Sequence, residues 1–416
     1  MSVTFLRCGA PPETSDRLTA DRLRCAADPI DPERVARLAV DALADPLGLP
    51  PLARCVTPDD RVAIAVGHGT PAAAPLVAGV IASLAAAGID RSRIHVVAAN
   101  AGDSKPLAEA LADAAAAGVR VEAHDPANEE ALCFAGLAKG DRPLLVNRTL
   151  FEADLVLPVS AEPTTGDSGG LADTAGGAYD GLFPDFFDQS TIDRFRKVRT
   201  VHDADLGGGR RLAARRAEAD QAGWIIGAPF VVRVVPGPGG GVAAVVAGEA
   251  DQVGRHANDA ASRAWRTPLA EPADVVLAVV TGGPDQQTWE AVGRALESAE
   301  RLVRSGGVIA VWSELEEPIG PELARLAEAD DPVSVASDLS AESGPAALAA
   351  WRVMQAVERG PVFLRSRLSP DAVEPLGIAP VESEEQMLRM AGRFGDCVLL
   401  EDAQHVRFPI AAEEPE

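Results

Sequence analysis

Lysine is nearly absent from this chain. Of 416 residues only Lys105, Lys139 and Lys197 carry an amine side chain, and the rest of the basic set is arginine. Chemistry that needs a side-chain amine therefore has three places to occur. Positive charge is scarce too: 62 acidic residues face 38 basic ones, a net charge of −24. That excess repels nucleic-acid phosphate and anionic lipid, so no nucleic-acid and no membrane partner is expected. Paired cysteines are missing. Cys8, Cys25, Cys55, Cys133 and Cys397 are odd in number, far apart and without a Cys-x-x-Cys, which excludes a disulfide framework and a zinc knuckle. The six histidines show no ligand spacing, so no metal site is legible. Neither Gly-x-Gly-x-x-Gly nor a Walker pattern occurs. No basic segment followed by an apolar core opens the chain, which points to the cytoplasm. Residues 62–89 lack any charged side chain, but Gly67-His68-Gly69-Thr70-Pro71 and Pro75 break the run. A strand, a turn and a buried helix are expected there rather than a membrane span.

What is present is a globular composition, 47% hydrophobic and 24% charged. At roughly 150 residues per domain, the length predicts two or three domains. Short apolar runs at Arg61–Val66, Ile94–Ala99, Val119–Ala123 and Asp154–Val159 alternate with helical stretches near 70–87 and 107–117. Thr70-Pro71 reads as an N-cap and first helical residue, and Asn100–Pro106 as a loop. Residues 160–209 form a long aperiodic stretch rich in Gly, Asp, Phe and Thr. The pattern resumes with a hairpin around Pro236–Gly241, a helix over Asp251–Trp265, strands at Val275–Val280 and Val308–Trp312, a helix over Thr288–Arg304, and strands at Val362–Arg365 and Asp396–Leu400. Alternating strands and helices imply parallel βαβ units with ligands at the carboxyl ends of the strands. The fold class expected is α/β, with two α/β domains, 1–210 and 211–416, mainly parallel sheets and a cleft between them.

Four loops follow strands and carry polar residues: 68–70, 102–105, 162–180 and 282–287. His68 stands out by position, although a hydrogen-bonded turn histidine explains it equally well. Glu162, at a strand end, reads either as a solvated carboxylate or as part of a site. His95 sits inside a strand, and His256 and His405 are expected in solvent.

The order and phrasing of these loops resemble the nickel-dependent lactate racemase family. Residues 62–75 are similar to that family's strand followed by Asp-x-Thr-Arg-Pro, and Ala101-Gly-Asp-Ser-Lys-Pro106 to its Gly-Thr-His-Arg-Pro. His124-Asp125 and the Asn147–Val156 run resemble its His-Asp and Val-Asn-Arg…Ala-Asp-Leu-Val. Glu162-Pro163 with Ser168-Gly169-Gly170 resembles its Glu-Pro-His…Ser-Gly-Gly-Ala-Lys, and Gly282-Gly283…Asp285-Gln286 its C-terminal half. The resemblance implies an interdomain nickel pincer nucleotide tethered to a lysine, a histidine on the nickel, two histidines as acid and base, and cations for the substrate carboxylate of a 2-hydroxy acid. This chain departs from that set. His68 and Pro71 replace the first motif's Asp and Arg, Ser104 replaces a histidine, and Thr164 replaces the histidine after Glu-Pro. The tether lysine aligns with Ala172, or with Tyr179 or Asp180, and no lysine lies between residues 140 and 196.

The expectation is a racemase-like protein whose inherited activity is racemisation or epimerisation of a 2-hydroxy acid, an isomerase, with no covalent pincer adduct. The alternatives are a metal-independent enzyme on another small hydroxylated substrate and a non-catalytic small-molecule-binding protein. The candidate partner is a hydroxy acid or sugar acid. His68 and Glu162 are the candidate catalytic residues, Glu162 orienting the imidazole. Thr70, Ser104, Lys105, Thr164 and Gln286 are the candidate substrate-binding residues.

Overall fold

In a computed structural model the chain is described over residues 2–7, 10–19, 23, 31–112, 118–138, 142–163, 179–198, 209–267, 270–329 and 332–408, with backbone alone at 209–216 and 332–334. In chain order the strands are β1 (Ser2–Leu6), β2 (Glu13–Ser15), β3 (Val62–Val66), β4 (Ile94–Ala98), β5 (Arg120–Ala123), β6 (Leu132–Ala138), β7 (Arg142–Asn147) and β8 (Leu155–Ala161). They continue with β9 (Phe230–Pro236), β10 (Val242–Glu249), β11 (Ala273–Val279), β12 (Val303–Trp312), β13 (Val362–Arg365), β14 (Ile378–Pro380) and β15 (Asp396–Leu400). The first sheet has the order β10-β9-β8-β3-β4-β5, and the second β14-β13-β12-β11-β15-β1-β2. Within each, all pairings are parallel except an antiparallel edge, β9–β10 in one and β1–β2 in the other. A small antiparallel ribbon, β6–β7, stands apart.

The sheets do not divide the chain at residue 210. The hairpin β9–β10 extends the first sheet, and β1 and β2 join the second, β1 lying parallel beside β15. A strand's partner is set by which edge has room for it and not by its distance along the chain.

β3, Val-Ala-Ile-Ala-Val, is buried along its whole length. Its alternation still matters. Val62, Ile64 and Val66 pack with α1 (Pro32–Ala44) and α2 (Ala73–Ala86), while Ala63 and Ala65 leave room for Phe183, Phe186 and Phe187 on the other face. α1 starts where Asp31 accepts from the Glu33 and Arg34 amides and Pro32 fixes the first turn. It buries Val35, Ala39 and Leu43, one helical stripe. In the second sheet, α5 (Trp289–Glu300) and α6 (Pro345–Arg359) cover one face through Val292, Leu296, Ala350 and Val353, with α4 (Ala250–Trp265) lying on the β9–β10 hairpin of the first. No helix among the described residues is long and apolar enough to cross a membrane.

Two local expectations change. Thr70 does not cap α2: the helix begins at Ala73 after a left-handed Ala72, and the Thr70 hydroxyl donates to the Gly67 carbonyl at 2.7 Å. The helix thus starts two residues later than expected, and the Thr70 bond closes the turn that carries His68. Asn100–Pro106 is not a loop either. Asn100 caps α3 (Ala101–Leu111), its side chain accepting from the Asp103 amide at 2.9 Å, so Ser104 and Lys105 are helical.

Candidate functional site

In an open parallel sheet the ligand crevice lies beyond the carboxyl ends of the strands, where the strand order reverses. The first sheet reverses between β3 and β8, since β4 and β5 run outward from one side of β3 and β8 and β9 from the other. The second reverses between β11 and β15. Bonds between the loops beyond these strands bring the two reversals together. Gln286 Nε2 donates to the Gly240 carbonyl at 3.0 Å, and the Gly239 amide to Asp402 Oδ1 at 3.2 Å. His68 Nε2 meets Glu290 Oε1 at 3.0 Å. Arg407 reaches back to Glu162 Oε1 at 3.4 Å and to the Pro163 carbonyl.

His68 is placed by its neighbours in the turn. A side chain at Gly67 would lie 3.1 Å from Ser160 Cβ and 3.2 Å from the Gly181 carbonyl, and Gly69 takes φ +63. The imidazole therefore leaves the end of β3 in one direction. Its Nδ1 lies 2.8 Å from Asp103 Oδ2, and the Asn100 amide donates to the same oxygen at 2.9 Å. Asp103 stands in the first turn of α3 and Glu290 in the first turn of α5, where the helix dipole favours negative charge. With a proton on each nitrogen, His68 donates to one carboxylate from each half. Burial opposes that charge, but the hydrogen bonds to Asp103 and Glu290 outweigh it and hold the pKa well above the ordinary 6.5. A histidine with this raised value stays protonated at neutral pH, unlike a free imidazole. About a third of the side chain, 34%, remains exposed.

Glu162 does not orient His68; Asp103 does. Glu162 is neither solvated nor adjacent to the ring. It lies buried at the end of β8 between Arg233, 3.8 Å away, and Arg407. Burial raises its pKa, opposed by the two guanidiniums. Arg233 also donates to Ser160 Oγ at 2.9 Å, and Ser160 packs under Gly67, so Glu162 and His68 share one sheet edge through this bridge.

Thr70 shapes the His68 turn, and Ser104 and Lys105 follow Asp103 on α3, Ser104 half-buried and Lys105 exposed. Gln286 joins the loop after β11 to the β9–β10 turn. Thr164 and the 168–172 motif lie outside the described residues. Asp103, Asn100, Glu290, Arg233, Arg407 and Asp402 were not among the sequence candidates. Only the first pair carried a sequence signal, an Asn-x-x-Asp spacing of the capping kind. Asp402 is buried, adopts φ +49, and bonds Thr281 and the Gly239 amide; burial raises its pKa against those bonds. His405, expected in solvent, is buried against Trp265 with ring centres 4.7 Å apart. His95 is half-buried on β4, His256 is exposed on α4, and His124 is buried against the Phe187 carbonyl at 2.9 Å.

A pincer nucleotide does not fit this residue set. The stretch that would tether it has no lysine, and His68 holds a carboxylate at each nitrogen. Among the described residues no group of three or more His, Cys, Asp or Glu side chains is placed to hold a metal. A separate cavity of about 350 Å³ opens at the carboxyl edge of the second sheet, beside Trp312, Arg365 and residues 382–385, where Trp312 pairs with Val279 of β11. Its three glutamates disfavour a carboxylate ligand.

Residues 18–161 match the family described as Lactate racemase N-terminal domain. The lactate racemase apoprotein from Thermoanaerobacterium thermosaccharolyticum aligns with 99% of this chain and 100% of its own at a TM-score of 0.70 and 16% identity. A structural-genomics protein from Thermotoga maritima aligns with 93% of this chain and 100% of its own, at a TM-score of 0.63 and 15% identity. No curated protein matches. The family resemblance read from the loops thus stands, and the chain has the α/β fold of lactate racemase.

Proposed function

We propose that this chain takes a small 2-hydroxy acid, or a sugar acid, between its two strand-order reversals and moves a proton through His68. That is an isomerase-type reaction on the lactate racemase scaffold, without a tethered nickel pincer. The observation that carries the reading is the Asp103–His68 pair at the first reversal. A carboxylate on Nδ1 fixes the ring and supports the imidazolium, leaving Nε2 as the nitrogen that faces a substrate. In this reading Thr70 in the same turn and Ser104 on α3 supply hydroxyls, and Lys105, exposed on α3, a cation for a substrate carboxylate. Arg233 and Arg407 hold Glu162 and keep the β8 edge rigid. While Glu290 occupies Nε2 the ring is protonated but blocked, and it exchanges a proton with a substrate only when that contact is released.

The test is a screen of 2-hydroxy acids and sugar acids in D₂O, followed by NMR for deuterium at the α-carbon and for change of configuration. His68→Ala, with unchanged circular dichroism, is expected to lower turnover about 10²–10⁴-fold, the range for a general acid–base group. Unchanged turnover removes His68 from the mechanism. An intact mass raised by a nucleotide fragment after co-expression with pincer-synthesis enzymes, with about one nickel per chain, overturns the cofactor-free reading. No turnover on any acid, with binding retained, favours the non-catalytic binding role.

A further inference from the structure

We propose that Glu290 is an internal competitor for the carboxylate that His68 receives, so that the His68–Glu290 pair latches the two halves together until a substrate carboxylate replaces it. This rests on the reading of His68 as the proton carrier of the site and adds its regulation.

Among the described residues, two ion pairs that join the halves differ in kind. Arg407–Glu162 is buried at both ends, with side chains 4% and 9% exposed, and arginine keeps its proton throughout the working range. It serves as a permanent pin. His68–Glu290 is 34% and 27% exposed, so water and solutes reach it, and one partner titrates. The geometry at the ring matches a loaded site. Asp103 already satisfies Nδ1, and Glu290 places both oxygens on Nε2, at 3.0 and 3.3 Å. A carboxylate on an imidazolium nitrogen is the contact an incoming hydroxy acid would make as it displaces Glu290, before its carboxylate passes to Lys105 and frees Nε2 for proton transfer. Glu290 also has somewhere to go: Arg294, one turn along α5, lies 3.9 Å from Glu290 Oε2. Glu290 can turn to that guanidinium without leaving the helix.

The charged groups around the ring are Asp103 on α3, with Lys105 exposed beyond it, and Glu290 on α5, with Arg294 behind it. The sign of the pH dependence follows. The pair raises the pKa of His68 in the latched form above its ordinary 6.5. The latch is therefore at full strength below about pH 6.5 and is lost as pH rises through the raised value. Closure is favoured by acid and opening by alkali or by a carboxylate ligand.

The experiment follows the His68 Cε1–H resonance, assigned by its absence in H68Q, across pH in wild type and Glu290→Gln. The same samples give radii of gyration by small-angle X-ray scattering, and glycolate is titrated in as the probe ligand at pH 6. Wild-type His68 is expected to titrate above 6.5, with the radius growing through the same midpoint. In E290Q the midpoint falls and the radius is large at every pH. Glycolate is expected to bind E290Q about 1.5- to fivefold more tightly, the range for a partly exposed ion pair no longer competing. An E290Q midpoint equal to wild type, a radius that ignores pH, or glycolate affinity equal or absent in both proteins overturns the proposal. Should E290Q fold poorly, Glu290→Asp, which draws the carboxylate back by one methylene, is expected to shift all three readouts the same way. None of these measurements reads turnover. An inactive protein with the titration intact overturns only the proposed function, and an active one without it overturns only the latch.

Discussion

At Gly240 the two halves touch backbone to backbone, as they also do where residues 196–198 bond residues 342–344. Gly240 lies in the turn between β9 and β10 with φ +85, and a Cβ there would sit 2.5 Å from Gly282 Cα and 2.9 Å from Gln286 Oε1. Gly240→Ala therefore carries two penalties. The left-handed backbone costs about 1–2 kcal/mol for any residue with a Cβ. The overlap costs about 1–3 kcal/mol more, because the nearest atom is backbone of the other half and cannot rotate away. A loss of about 2–5 kcal/mol is expected. Gly306 supplies the control: it has φ +75 and nothing within 4 Å of a built Cβ, so Gly306→Ala bears the backbone cost alone, about 1–2 kcal/mol. Urea unfolding of both variants isolates the contact between the halves as the difference. The Gly240 variant should also lose His68-dependent turnover, since separating the loops carries Gln286 and the start of α5 away from the β3 edge. Equal destabilisation by the two substitutions would refute the juxtaposition of the reversals on which the site rests.

Other outcomes follow from the same structure. Arg407→Met removes a buried guanidinium from Glu162, the Pro163 carbonyl and Asn258, and is expected to cost about 3–5 kcal/mol in urea unfolding; a loss under about 1 kcal/mol would show that Glu162 finds solvent instead. The Cys397 thiol, 1% exposed, is pushed up to about 12 by burial. In the native protein at pH 8, peptide mapping after alkylation should find Cys55, which is exposed, modified and Cys397 intact until denaturant is added.

How much of this was legible beforehand depends on the range of the interactions. The strand runs at 62–66, 94–98, 230–236 and 396–400 stand in the sequence because strands covered on both faces are near-continuously apolar, interrupted here only by His95, Arg233 and Asp396. β1, β2 and β14 are short edge or near-edge strands, and β6 belongs to the small ribbon with Phe134 and Leu137 exposed; none leaves such a run. The loop order that resembles lactate racemase was also readable, as was the missing tether lysine. His68 was found because it follows a strand. Its partner was misassigned because Glu162 also follows one, and rank along a sheet edge does not say which side chains meet.

The sequence alone determined the local matters: where apolar runs make strands, where Asp31 starts a helix, and which amine and imidazole chemistries are missing from the chain. These depend on residues a few positions apart, whose geometry the backbone fixes. Tertiary structure alone decided which strands share a sheet and therefore where the order reverses. It brought Glu290 to His68 across 222 positions and Arg407 to Glu162 across 245. It also decided the protonation of His68. A histidine's charge is set by the carboxylates and water around it; Asp103 reaches His68 once the first sheet has formed, and Glu290 only once the two sheets face each other.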